Sequence, residues 1–284
     1  MGDVFFVDKN SPDKIPGVVS QLAGDTFAGN DVLIKLNMGE RGNTWYVKPD
    51  TVRIVTDELK RWGARPIIYD TVIIYGGQRN TREKYANLAV EHDFDKIGCP
   101  VVIGDKGQII PMDEEGIAFR FEVSEEVVRT GHLVSVVHAK GSAGPGFAGT
   151  LKNVGMGCIS KSCKLAMHAA PLKKALTPWA RGPLTFNKVL ALSAKACLSG
   201  KRLLCFHVLL DITKECDCRR NALPIICPDL GYLVSTDPVA IEAASIDMVL
   251  EHGGPGALKH DPWEQVDFAE KIGLGRRDYH LVRV

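Results

Sequence analysis

Short apolar runs that end in polar residues recur along this chain, and amphipathic stretches with helix punctuation separate them. VFFVD (4 to 8) reads as a strand, SPDKIPGVVSQLAG opens on a Ser-Pro start signal and reads as a helix, and DVLIKLNM (31 to 38) is the next strand. That is a βαβ unit. KPDTVRIVTDELKRWGA follows as a helix with Pro49 at its start, Val52, Val55 and Leu59 at helical spacing and Gly63 at its close. RPIIYDTV is a strand, NTREKYANLAVEHDF a helix capped by Thr81, CPVVIGD a strand, and QIIPMD a short edge strand. IAFRFEVS alternates with period 2, SEEVVRTG is a helix with Ser124 as cap, and LVSVVHAK is again a strand.

The last third continues more loosely. FNKVLALSAKACLSGK is a helix ending at Gly200, RLLCFHVLLDI a buried strand, and GYLVSTDP a short one. Two helices follow, one with Asp237 as cap and Pro238 at its first position, the other starting at Asp261 and Pro262. Strands alternating with helices predict an α/β fold with a mostly parallel or mixed sheet and helices on both faces. No repeat or low-complexity linker divides the chain. The expectation is one domain over residues 1–284, with sub-halves 1–170 and 171–284 as the natural division.

In such folds the ligand site lies beyond the strand C-termini. Lys35 and Asn37, Asp70, Asp105, and His138 and Lys140 all fall at such ends. The richest of them opens the stretch from His132 to Ala170, where a strand runs into a glycine-crowded turn and then a segment with two cysteines, three lysines and a histidine. Between Glu126 and Asp211 no residue is acidic, while twelve are Lys or Arg. Over the whole chain the 34 acidic and 35 basic residues nearly balance. The acid-free interval therefore places this stretch in a positive field suited to a phosphate or carboxylate. Nucleic acid is the poorer partner, because Phe147, Trp179, Phe186 and Phe206 are the only aromatic residues interleaved with that charge.

Gly144-Pro-Gly146-Phe-Ala-Gly149 matches the dinucleotide pattern GxGxxG after a strand. The acidic residue that should follow about 20 positions later is missing, and Pro145 restricts the turn. A glycine loop whose amides, with Lys140 and Lys152, hold some other anion is the better expectation. His138 and His168 are the acid-base candidates, against the plainer alternative of hydrogen-bonded structural histidines.

Eight cysteines without a secretion signal point to thiols, ligands or packing groups. Cys99, Cys197, Cys205 and Cys227 sit in apolar surroundings and read as packing. Cys216 and Cys218, one residue apart, suit a shared metal or cluster, which Cys158, Cys163, His168 or His207 would have to complete. The alternatives are structural cysteines or a reactive thiol, for which Cys158 near a helix start is the candidate. No run approaches the roughly 18 apolar residues of a membrane helix. The N-terminus lacks the flank and core of a signal peptide, and Phe6 stands where a myristoylation motif wants Ser or Thr. The expectation is a cytoplasmic protein.

The strings VLIKLN, VHAKG, GFAGTLKNVGMGC, KLAMH, DITKECDC, PDLGYLVSTDPVAIEAA and WEQVDFAEKIGLG resemble the family called domain of unknown function 362, described as uncharacterised iron–sulfur centre proteins. The resemblance implies an α/β domain with Lys35, Asn37, His138, Lys140, Gly146, Gly149, Lys152, Asn153, Gly157, His168, Asp217 and Asp237 at the family's motif positions. Many members carry a ferredoxin-like module after the position of His168. Here that place holds APLKKALTPWARGPLTFNKV, without a cysteine. The family's usual cluster ligands are therefore missing.

Two function classes follow. One is an enzyme for a small anionic substrate. In it Lys35, Asn37, Lys140, Gly146, Gly149 and Asn153 bind the anion, His138, His168 and Lys152 serve catalysis, and Cys216, Cys218, Cys158 and Cys163 hold a metal ion or iron–sulfur cluster fed by an electron-transfer partner. The other is a non-catalytic carrier of a metal, cluster or cofactor. An NAD(P)-dependent oxidoreductase ranks below both.

Overall fold

The computed structural model describes residues 1–170, 180–216 and 224–284. From the N-terminus, β1 (Gly2–Asp8), α1 (Ile15–Phe27) and β2 (Asp31–Lys35) form the first unit. Next come α2 (Pro49–Arg61), β3 (Arg65–Thr71), α3 (Arg82–Glu91) and β4 (Val101–Gly104). A hairpin of β5 (Gly107–Glu114) and β6 (Ile117–Ser124), then the short α4 (Glu125–Arg129), leads into β7 (His132–His138). The glycine-rich stretch supplies β8 (Lys140–Ser142), β9 (Gly146–Ala148), α5 (Thr150–Gly157) and α6 (Lys161–Ala169). After them come α7 (Phe186–Leu198), β10 (Arg202–Leu209), β11 (Gly231–Ser235), α8 (Pro238–Gly253), α9 (Trp263–Lys271) and β12 (Tyr279–Arg283).

The helix starts follow the capping chemistry written in the sequence. Thr81 accepts the Lys84 N–H at the start of α3, and Thr185 accepts the Lys188 N–H at the start of α7. Asp237 does more: its Oδ1 accepts the N–H groups of Val239 at 2.8 Å and Ala240 at 3.0 Å, while its Oδ2 accepts the N–H of Arg276 at 2.9 Å. Ser124 sits at the cap position of α4 but makes no capping bond, because its hydroxyl donates to Glu126 instead.

The main sheet has eight strands in the order β12-β1-β11-β10-β7-β2-β3-β4. All the neighbours from β10 to β4 pair in parallel, and β12 runs parallel to β1. Only β11, antiparallel to both β1 and β10, is reversed. The mostly parallel sheet is thus as expected. Buried residues alternate along the strands between two apolar clusters, as the pleat requires. Val4 and Phe6 face one, Phe5 and Val7 the other; Leu33 faces the first, Val32 and Ile34 the second. Helices α5, α7, α8 and α9 cover the first face, and α1, α2 and α3 cover the second.

QIIPMD and IAFRFEVS leave this sheet. They pair with each other as β5 and β6, and the alternation seen in the sequence puts Ile117, Phe119, Phe121 and Val123 of β6 into the first cluster. Period 2 identified the strand but carried no information about its partner.

The triple role of the Asp237 carboxylate gives a test of stability. Asp237→Ala should lower the unfolding free energy by about 2 kcal/mol in urea titrations, the upper end for a lost cap. A change below 0.5 kcal/mol, as expected for an exposed surface site, would contradict the assigned role.

Candidate functional site

The chain leaves β2 towards β3 and leaves β7 towards β10, so the connections diverge between two strands that lie side by side. Such a reversal opens a crevice at the strand C-termini. Asn153 of α5 fills its base. Its Nδ2 donates to the Lys35 carbonyl and to Ser135 Oγ, each at 2.9 Å, and its Oδ1 accepts from Lys35 Nζ at 2.8 Å. Lys35 Nζ also pairs with Asp70 Oδ1 at 2.9 Å, and both side chains are buried. Asp70 in turn accepts the Thr71 N–H and the Tyr85 hydroxyl. The lysine passes directly over α5, where a Cβ on Gly157 would stand 2.1 Å from Lys35 Cε. Glycine is required there by close approach.

More cations surround this pair. Lys164 Nζ donates to Thr71 Oγ1 and the Val72 carbonyl, both at 2.5 Å. Arg79, buried, donates to Asn37 Oδ1 at 2.6 Å and lies 3.7 Å from Glu40. Lys140 donates to the His138 carbonyl at 2.7 Å, and Lys152 to Ser142 Oγ at 2.8 Å. All line one cleft of about 840 Å³. Among the described residues five cationic side chains border it (Lys35, Arg79, Lys140, Lys152 and Lys164) against the three carboxylates of Glu40, Asp70 and Glu215.

The glycine loop is built differently from the expectation. Two of its glycines fall inside the hairpin of β8 and β9, Gly144 in its turn and Gly146 in β9, so no phosphate-binding turn joins strand to helix. Gly146, with φ of 80°, is packed against the carbonyls of His260 and Asp261 and is not among the residues lining the cleft. The first amides of α5 are already engaged. Glu242 of α8 accepts the N–H groups of Gly149 at 3.1 Å and Leu151 at 3.2 Å, and His207 Nε2 accepts that of Thr150 at 3.1 Å. A Cβ on Gly149 would meet Glu242 Oε2 at 2.4 Å. The helix end that could hold a ligand anion is occupied by the protein's own carboxyl group. Burial pushes the Glu242 carboxyl up to about 8 against the pull of those amides, and burial holds His207 down at about 3, a neutral imidazole.

Both histidine candidates line the cleft. His138 Nε2 donates to the Leu210 carbonyl at 2.9 Å and to that of Asp211 at 3.1 Å; His168 Nδ1 donates to the Lys164 carbonyl at 2.8 Å. In the neutral rings these bonds place the proton on Nε2 of His138 and on Nδ1 of His168.

The three cysteine candidates among the described residues, Cys158, Cys163 and Cys216, are not brought together. Cys216 borders the cleft, whereas Cys158 and Cys163 are buried in the first apolar cluster with Cys197, and Cys218 and Asp217 lie outside the described residues. Cys158 is the C-cap of α5, not near a helix start, because α6 begins only at Lys161 behind its own cap, Ser160. Burial raises the Cys163 thiol to about 11, away from the thiolate that a metal requires. Among the described residues no three His, Cys, Asp or Glu side chains are grouped to hold a metal ion. Sequence reasoning also missed Lys164, Arg79 and Glu40, which lie in helical or loop segments and join the cleft only through tertiary packing.

The family described as Domain of unknown function (DUF362) matches residues 32–247. The chain belongs to this family. That span begins in β2 and ends within α8, so it takes in every cleft residue named above. Among solved structures, this DUF362 member is similar to the lactate racemase apoprotein from Thermoanaerobacterium thermosaccharolyticum (TM-score 0.50, 16% identity, 74% of this chain and 51% of that one). It is also similar to a structural-genomics protein from Thermotoga maritima (TM-score 0.48, 9% identity, 92% of this chain and 59% of that one). The chain spans about half the length of the racemase, and at this identity the likeness concerns the fold alone. No curated protein matches in sequence.

Burial brings Lys164 down to about 8, with Asp70 opposing and Lys35 and Arg79 assisting. At and below pH 7 both folded and unfolded states hold its proton, and the full cost of about 3 kcal/mol is present. Between pH 8 and 10.5 the folded state releases the proton first, so the cost is relieved. The unfolding free energy of the wild type minus that of Lys164→Met should therefore rise by about 3 kcal/mol from pH 7 to pH 10.5. A flat difference in urea titrations across that range would contradict the burial of a charged lysine here.

Proposed function

We propose that the protein is an enzyme whose cleft holds a small substrate by a carboxylate or phosphate group and moves a proton on it. One observation carries this reading: among the described residues five cationic side chains line the cleft against three carboxylates, and Lys35, Arg79 and Lys164 are deeply buried. Keeping a cation out of water costs several kcal/mol unless an anion lies close. Asp70 and Glu40 offset part of that cost, and a bound anion would offset more of it.

Recognition falls to side chains, since Glu242 and His207 occupy the helix end that other α/β folds use. Lys140 and Lys152 come from the loop and helix after β7 and are the natural contacts for the anion. His138, which lines the cleft with its Nε2–H held by main-chain carbonyls, takes a proton from a substrate C–H beside the anionic group and returns it from the same ring nitrogen. The nearby cations stabilise the charge that develops meanwhile. His168 is the second acid-base group. The lactate racemase apoprotein supports the substrate class to the extent that a protein of the same fold is named for a small 2-hydroxycarboxylate. The carrier alternative and an iron–sulfur centre draw on the cysteines: Cys158 and Cys163 lie in the apolar cluster away from Cys216, so that reading rests on the Cys216 and Cys218 pair, of which Cys218 lies outside the described residues.

Calorimetric titration with inorganic phosphate and with oxalate should show saturable binding that weakens with added salt. Lys140→Ala and Lys152→Ala should each weaken it at least tenfold, and Lys9→Ala, on the exposed surface, should leave it unchanged. In D₂O, proton NMR of a panel of 2-hydroxy acids should show Cα–H exchange with the wild type and none with His138→Asn. Absence of anion binding contradicts the cleft assignment, and absence of exchange contradicts the proton-transfer step.

A further inference from the structure

The cleft is much larger than its cationic floor requires. At about 30 Å³ per water-sized group, a volume of 840 Å³ exceeds a phosphate or a three-carbon acid roughly fivefold. The remaining wall is apolar. On α5, Lys152 and Asn153 face the cleft, and one turn further along the same face stand Met156 and Gly157. On α6, Lys164 belongs to the floor, and His168, one turn later, packs its ring 5.1 Å from that of Phe186. Gly144 completes this corner, where the missing side chain admits the Phe186 ring. Ile73, Ile74 and Tyr75, directly after β3, form another side, with Tyr75 47% exposed. The polar floor and the apolar wall are thus consecutive turns of the same two helices.

Half-buried apolar side chains facing a cavity keep water in contact with surface that an apolar partner would cover. We propose that the substrate carries its carboxylate or phosphate on an apolar body of one to two fused rings, which lies against Met156, Phe186 and the segment Ile73 to Tyr75. This deepens the anion reading and rests on it. The floor selects the charged head, and the wall selects an apolar body of a size that the remaining volume admits. Phosphates and carboxylates remain alternative heads, because cationic side chains accept either.

Two probe series separate the claims: inorganic phosphate, phenyl phosphate and 1-naphthyl phosphate, then acetate, benzoate and 2-naphthoate. The affinity should tighten about tenfold or more from the first to the last member of at least one series. Neutral 2-naphthol should bind at least tenfold more weakly than the naphthyl anion. Phe186→Ala and Met156→Ala should each cost the naphthyl ligand about tenfold while changing phosphate or acetate less than threefold. Phe186→Leu, with its thermal melting compared to wild type, guards against a variant that fails to fold and should keep most of the gain. Equal affinity along both series overturns this inference and leaves the anion reading standing. Failure of every anion to bind overturns both.

Discussion

A buried lysine at the junction of two parallel strands is the constraint around which the molecule is arranged. Lys35 ends β2 where the sheet's connections diverge, and its side chain is almost wholly buried at the floor of the cleft. Asp70 on the neighbouring strand and Asn153 on α5 are what make that position tenable. The same contacts dock α5 on the crevice and forbid a side chain at Gly157. A helix fixed so far inside must have its first amides satisfied internally, and Glu242 from α8 and His207 from β10 do so. One charge at a strand end thus ties β3, β10, α5 and α8 to the architecture of the cleft.

Much of this was written locally. A polar residue closing an apolar run marks a strand end, and that signal placed Lys35, Asn37, His138 and Lys140 at the edge that the structure turns into the cleft. Lys152, His168 and Gly149 followed from the glycine loop and cationic segment after that edge, Asn153 from the family resemblance, and all four line the cleft. Caps at Thr81 and Asp237 were equally legible, because capping involves residues two or three apart. Local signals have a short reach, however. Period 2 in IAFRFEVS identified a strand without showing that it would pair with QIIPMD outside the main sheet. Nothing near Gly149 announced that a glutamate 93 positions later would take its amide.

The glycine loop and the cysteines show the same limit from the other side. Three glycines after a strand suggested an anion cradle of main-chain amides. In the structure one glycine gives way to Glu242, another belongs to a hairpin, and the anion-attracting charge is carried by side chains. The acid-free interval was the sounder clue, because it described the field and not a particular geometry. Sequence spacing could not tell that Cys158 and Cys163 would sit in the apolar layer beneath the sheet while Cys216 bordered the cleft. Such sorting depends on which face of a helix meets the core. The fold shared with the lactate racemase apoprotein leaves these choices to the side chains of each protein.

The central claim is that this cleft is an anion site built from side chains. Crystals grown in selenate and measured at the selenium edge test it directly, after any selenomethionine has been excluded by using unlabelled protein. The strongest anomalous peak should lie in the cleft within hydrogen-bonding distance of Lys140 or Lys152. Selenate confined to the outer surface, with the cleft filled only by water, would contradict the account.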